Sequence, residues 1–137
     1  MLTPIALDEK FEAIDKKRHY LISNYGRCYS VVSGRFLKSN INSNGYLRYD
    51  LAYNENNKRI YRQQIFAHIE VVKHFGDCNG NTISELQKYI DIVNIDHRDR
   101  NRLNNKQSNL QIVSAKVNQR RKFVPIEEVD SIIDDIF

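Results

Sequence analysis

Asp96, His97, Asn109 and Asn118 are of the types, and at the spacing, that suit hydrolysis of a phosphodiester. That reaction needs an activated water, neutralised charge on the phosphate and help for the leaving oxygen. A neutral imidazole takes a proton near pH 7, which gives His97 the first role. Its ring must be oriented. The side-chain carbonyl of Asn109, across a hairpin, is expected to accept a hydrogen bond from Nδ1–H and leave Nε2 facing water. Asp96 and Asn118 offer two hard oxygen ligands, the donor type that suits Mg²⁺. Bound there, such an ion would stabilise developing charge on the phosphate and the leaving oxygen.

These residues need elements to hold them. Asp91 to Ile95 is rich in β-branched residues and reads as a strand that Asp96 and His97 end. A polar segment runs from Arg98 to Ser108. Leu110 to Val113 is a second β-rich stretch that Asn109 opens. Ser114 suits the N-cap of a helix from Ala115 to about Arg121, which carries Asn118. Strand, loop, strand and helix thus follow one another. Upstream, Ile65, Ile69 and Val72 fall at helical spacing, which predicts a helix from about Gln63 to Phe75, ended by Gly76-Asp77. Before it, Tyr20 to Ile22, Arg27 to Val32 and Leu47 to Tyr53 read as short strands, with Asn44-Gly45 as a hairpin turn. A short helix over Ile83 to Ile90 and an amphipathic one from Ile126 are also expected. The fold class is therefore α+β: an N-terminal antiparallel β module over 1–62, a connecting helix and ββα core over 63–122, and an acidic tail over 123–137.

The run Asp96-His97-Arg98-Asp99-Arg100-Asn101-Arg102-Leu103-Asn104-Asn105, followed by Ser108-Asn109-Leu110, resembles the core motif of the HNH, or ββα-metal, endonucleases. Asn118 stands where many members carry a histidine. Tyr20 to Arg27, Leu37-Lys38 and Asn44-Gly45-Tyr46 are similar to the small β module that precedes HNH domains in phage and intron-encoded enzymes. Ala67-His68-Ile69 with Val71 and His74-Phe75 is similar to the family's connecting helix. The resemblance spans roughly residues 20–122. It implies a metal-dependent DNA endonuclease using Mg²⁺ or Mn²⁺, of phage or mobile-element origin, acting in the host cytoplasm. It implies His97 and Asn109 as catalytic residues and Asp96 and Asn118 as metal ligands. It also requires the strand to bend where Asp96 meets His97, because neighbours on a regular strand point to opposite faces.

Charge agrees with a polyanionic partner. Residues 1–122 hold all 21 basic side chains and 12 acidic ones, a net of +9, while the last 15 residues hold five acids and no base. Arg98, Arg100, Arg102 and Lys106 line the polar loop, and Lys116, Arg120, Arg121 and Lys122 follow it. They are expected to meet phosphates, as are Arg27, Arg35, Lys38, Arg48 and Tyr46 in the β module. The acidic tail suits docking on a protein partner, screening of the basic surface, or simple packing. Asn104 and Asn105 are expected to hold the loop through bonds to backbone, and His68 to be a buried, hydrogen-bonded histidine. Cys28 and Cys78 lie 50 positions apart without a CxxC, which argues against a zinc knuckle or a disulfide scaffold. No apolar run approaches the roughly 20 residues of a membrane span. The N-terminus shows no secretory pattern. A monomer would nick one strand and a homodimer would cut both. The alternative reading is a non-catalytic DNA-binding or interaction protein that keeps the fold.

Overall fold

The computed structural model describes residues 2–55, 58–81 and 93–114. The expected helices over 83–90, 115–121 and from 126 onward lie outside them. The described elements are β1 (Phe11–Ala13), β2 (Tyr20–Ser23), β3 (Cys28–Ser30), β4 (Arg35–Phe36), β5 (Asn40–Ile41), β6 (Leu47–Glu55), β7 (Lys58–Phe66), α1 (Ala67–Phe75), β8 (Val93–His97) and β9 (Leu110–Ser114). They form antiparallel sheets β1-β2-β3-β4, β5-β6-β7 and β8-β9. The fold is α+β, as the residue pattern predicts.

One apolar core joins the three sheets to the helix. Ile22 from β2, Leu51 from β6, Val71 and Val72 from α1, and Leu110 and Ile112 from β9 are almost fully buried in it. Burial of each such side chain contributes roughly 1.5–3 kcal/mol. β6 shows the expected alternation: Tyr49, Leu51 and Tyr53 are buried, while Arg48, Asp50 and Asn54 are on the other face. The hairpin between β5 and β6 turns at Gly45, whose φ of 84° lies where an L side chain is strained.

Two elements differ from the residue pattern. The helix begins at Ala67 rather than Gln63, because residues 63–66 complete β7. Ile65 pairs with Tyr49 and Phe66 with Arg48, so Ile65 enters the core from a strand. Ile69, which lies on the helical stripe in sequence, is exposed, and α1 buries Ala67, His68, Glu70, Val71 and Val72 instead. Ladder pairing with β6 outweighs local helical spacing here. Secondly, β1 extends the N-terminal sheet beyond Tyr20, with Phe11 opposite Ser23. Three residues are too short a run to reveal a period.

Candidate active site

β8 and β9 pair regularly, with Asp96 opposite Gln111 and His97 opposite Leu110. The ladder holds through both residues of the Asp-His pair, and the chain turns only after His97. Arg98 N–H still donates to Asn109 C=O at 2.8 Å, and Arg100 N–H closes a turn onto His97 C=O at 2.9 Å. Arg100 takes a φ of 62° in that turn. Alternation leaves Asp96 half-buried and sends His97 inward, 4% exposed.

The loop from Arg98 to Asn109 is organised by amides around one carboxylate. Asp99 Oδ1 accepts from Asn101 N–H at 2.8 Å and from Asn109 Nδ2 at 2.9 Å, and its Oδ2 accepts from Asn104 Nδ2 at 2.8 Å. Asn109 closes the circle: its Oδ1 accepts from Asp99 N–H at 3.0 Å, and its Nδ2 also donates to Asn104 C=O at 2.8 Å. Partial burial pushes the Asp99 carboxyl up, but the Asn104, Asn101 and Asn109 donors more than offset it and hold the group below the usual carboxylate range.

The expected hydrogen bond from His97 to Asn109 is therefore corrected. The Asn109 carbonyl is spent on Asp99 N–H, and His97 meets Asn105 instead, whose Oδ1 lies 2.7 Å from Nε2. An amide oxygen only accepts, so Nε2 carries a proton here, where the expected tautomer left it bare. Asn105 thus acts on the ring rather than on backbone. It is 2% exposed and wedged against the turn between β2 and β3. A Cβ built on Gly26 would approach Asn105 Cβ to 2.7 Å, and Gly26 has a φ of 84°. Gln107 N–H donates to Asn24 C=O at 2.8 Å in that same turn, and Lys106 lies 4.6 Å over the Tyr25 ring. The N-terminal β module is thereby a seat for the loop, a role that a Ser-Asn-Tyr-Gly turn does not disclose by its composition.

Aromatic rings complete the surroundings. His68 stacks on Tyr46 with centroids 4.8 Å apart and 22° between planes, and its centroid lies 5.4 Å from that of His97. His68 is buried, but its Nδ1 has no hydrogen-bond partner, which departs from the expectation of a bonded histidine. Burial, with a smaller push from His97, lowers its pKa to about 4, so the ring is neutral at pH 7.

The basic residues divide. Arg27 donates through Nε and Nη2 to both oxygens of Glu9 at 2.8 and 2.5 Å, and its guanidinium lies 3.9 Å over Phe36. Burial pushes the Glu9 carboxyl up, and the bonds from Arg27 and Ile5 N–H more than offset that. Arg27 thus serves the fold of the module through Glu9 and Phe36. Arg102 clamps the loop to the β5–β6 turn: Nη1 donates to Asn44 C=O, and the guanidinium lies 4.8 Å over Tyr46. Arg48 is half-buried, 3.8 Å from Asp50, and Lys38 and Arg100 are exposed. Asn118, Lys116, Arg120 and Arg121 lie outside the described residues. Among the described residues no three His, Cys, Asp or Glu side chains cluster as a metal site. Asp96, next to the end of β8, offers a hard carboxylate oxygen of the kind that suits a small divalent ion.

A family model described as the NUMOD4 motif matches residues 9–52, the span from β1 into β6. DNA endonuclease I-HmuI of Bacillus phage SP01 is 35% identical over 100 residues, 73% of this chain and 49% of that protein. H-N-H endonuclease F-TflII of Escherichia phage T5 is 33% identical over 114 residues, 83% of this chain and 52% of that protein. A solved structure, described as DNA binding and cleavage by the HNH homing endonuclease I-HmuI, aligns with a TM-score of 0.60 at 28% identity. It covers 90% of this chain and 65% of that one. The chain spans about half the length of the curated relatives it matches.

Proposed function

Because the chain belongs to the HNH homing endonuclease family, with a NUMOD4 motif at its N-terminal side, we propose that it is a metal-dependent DNA endonuclease that hydrolyses phosphodiester bonds. The observation that carries this reading is the 2.7 Å bond from His97 Nε2 to Asn105. It supports a tautomer with the proton on Nε2, in which Nδ1 takes a proton from water as the water attacks phosphorus. Asn109 acts one step removed, by closing the loop that carries Asn105. Asp96 and Asn118 hold a divalent cation, Mg²⁺ or Mn²⁺. When bound, the cation supplies charge neutralisation at the phosphate and the leaving oxygen.

Arg98, Arg100, Lys116, Arg120 and Arg121 are the proposed phosphate contacts near the site, with Lys38 and Arg48 on the β module. Each phosphate neutralised adds to the salt dependence of binding. The acidic segment from residue 123 onward offers a docking stripe for a protein partner. A monomer yields nicks and a homodimer yields double-strand breaks.

Relaxation of supercoiled plasmid in Mg²⁺, Mn²⁺ and EDTA tests the reading. The wild type should cleave only with metal. His97→Ala should lose about 10²–10⁴-fold in rate, the span a positioned general base supplies, while still shifting DNA on a gel. Cleavage by His97→Ala at the wild-type rate would falsify the assignment. DNA binding without cleavage in any metal would favour the non-catalytic DNA-binding reading.

A further inference from the structure

His97 has a neighbour that the proposed chemistry leaves unused. His68 sits at the second position of α1, beside Phe66 at the end of β7 (5.8 Å between centroids), Tyr46 after the hairpin turn (4.8 Å) and His97 at the end of β8 (5.4 Å). Three elements thus place rings around it. A helix position packed in this way would be most stable with a wholly apolar side chain. The chain instead keeps a histidine whose Nδ1 is buried without a partner. Retention of an unsatisfied polar atom points to use elsewhere on the same ring.

The remaining nitrogen is informative. A buried N–H without an acceptor is worse satisfied than a bare lone pair, so Nδ1 carries the lone pair and Nε2 the proton. The residue keeps a small exposed part, 8% in all, through which an Nε2–H can meet a ligand. Rings whose centroids are 5.4 Å apart are close enough for both to meet one phosphodiester group.

We propose that His68 is a second active-site imidazole, whose neutral Nε2–H donates a hydrogen bond to a phosphate oxygen of the strand under attack by water activated at His97. A neutral donor fits because a charged imidazole would face His97 across a dry stack. The inference rests on the reading of His97 as the base.

The test compares wild type, His68→Phe, His68→Gln and His97→Ala on supercoiled plasmid with Mg²⁺. His68→Phe keeps a ring in the stack and removes both nitrogens. It should melt no lower than wild type, bind DNA within about threefold, and lose about 10–100-fold in kcat, as removal of a donor to a reacting oxygen does. Its pH–rate profile should keep the wild-type shape, since the lost group does not titrate in the working range. His68→Gln restores a neutral N–H and should recover part of the rate. The proposal is overturned if His68→Phe keeps kcat within twofold, if its profile changes shape, or if His68→Gln is no faster than His68→Phe. Full activity in His97→Ala would overturn the underlying reading as well, whereas an inactive His97→Ala beside a fully active His68→Phe removes this inference alone.

Discussion

Two loops of this chain are each built on an aspartate, and they use it differently. Asp77, just past α1, is 1% exposed and accepts only from backbone: Asn79 and Asn81 N–H at 2.9 and 3.0 Å on one oxygen, Ile112 N–H at 2.9 Å on the other. With Cys78 N–H donating to Leu110 C=O at 2.8 Å, this turn pairs with the side of β9 that faces away from β8. Asp99 lies at the surface and takes two of its three donors from the side chains of Asn104 and Asn109. A carboxylate spent on buried backbone holds the fold together. One spent on side-chain amides sets the register of a loop, and here that register decides where Asn105 meets His97.

Removal of each carboxylate separates the two roles. Asp77→Ala leaves Ile112 N–H buried and unsatisfied, along with two turn amides. At roughly 1–3 kcal/mol for each buried orphan, a loss on the order of 3 kcal/mol is expected in urea unfolding. That is a large part of the stability of a small domain. Asp99→Ala should cost less, about 1 kcal/mol, because the carboxylate is exposed and Asn109 Nδ2 keeps its second bond to Asn104 C=O. Its effect should appear in kcat for plasmid cleavage, lowered about tenfold, since a misplaced catalytic group loses rate steeply with distance. Equal stability losses from the two variants would erase the distinction. Full activity in Asp99→Ala would show that the carboxylate does not set where Asn105 meets His97.

The same contrast explains what the residues disclosed in advance. Strands β2, β6 and β9 and the Asn44-Gly45 turn follow period and turn chemistry, which act over a few residues. The set of Asp96, His97 and Asn109 is visible because its spacing is local to one hairpin. What escaped is long-range. Asn105 lies eight residues from His97 with a chemistry indistinguishable from that of Asn104, and only closure of the loop by Asp99 selects it. The seat at Gly26 is set by packing between the start of the chain and its second half. His68 stood on an apparent apolar stripe, but the stripe itself was misplaced because Ile65 belongs to a strand. The bonds of Arg27 to Glu9 and of Arg102 to the Asn44 carbonyl, 18 and 58 residues away in sequence, are likewise invisible to a reading by charge.

The acid limb of stability again sets a surface carboxylate against a buried group. The folded-state pKa of His68 is about 4, against roughly 6.5 unfolded. Between those values the unfolded chain binds more protons, so stability falls as pH falls from about 6.5 to about 4, by up to roughly 3 kcal/mol, and levels off below. Asp99 is also depressed when folded, but its reference is near 3.8, so its contribution is present above that pH and is lost only as pH falls further. At the surface that loss should stay under about 1 kcal/mol. The two windows do not overlap. Urea midpoints from pH 7 to pH 3 should therefore show His68→Phe with a flatter slope above pH 4 and Asp99→Asn with a flatter slope only below it. A His68→Phe curve parallel to wild type between pH 6.5 and 4 would mean that the imidazole is not dry in the folded chain, and the case for a neutral donor beside His97 would fall with it.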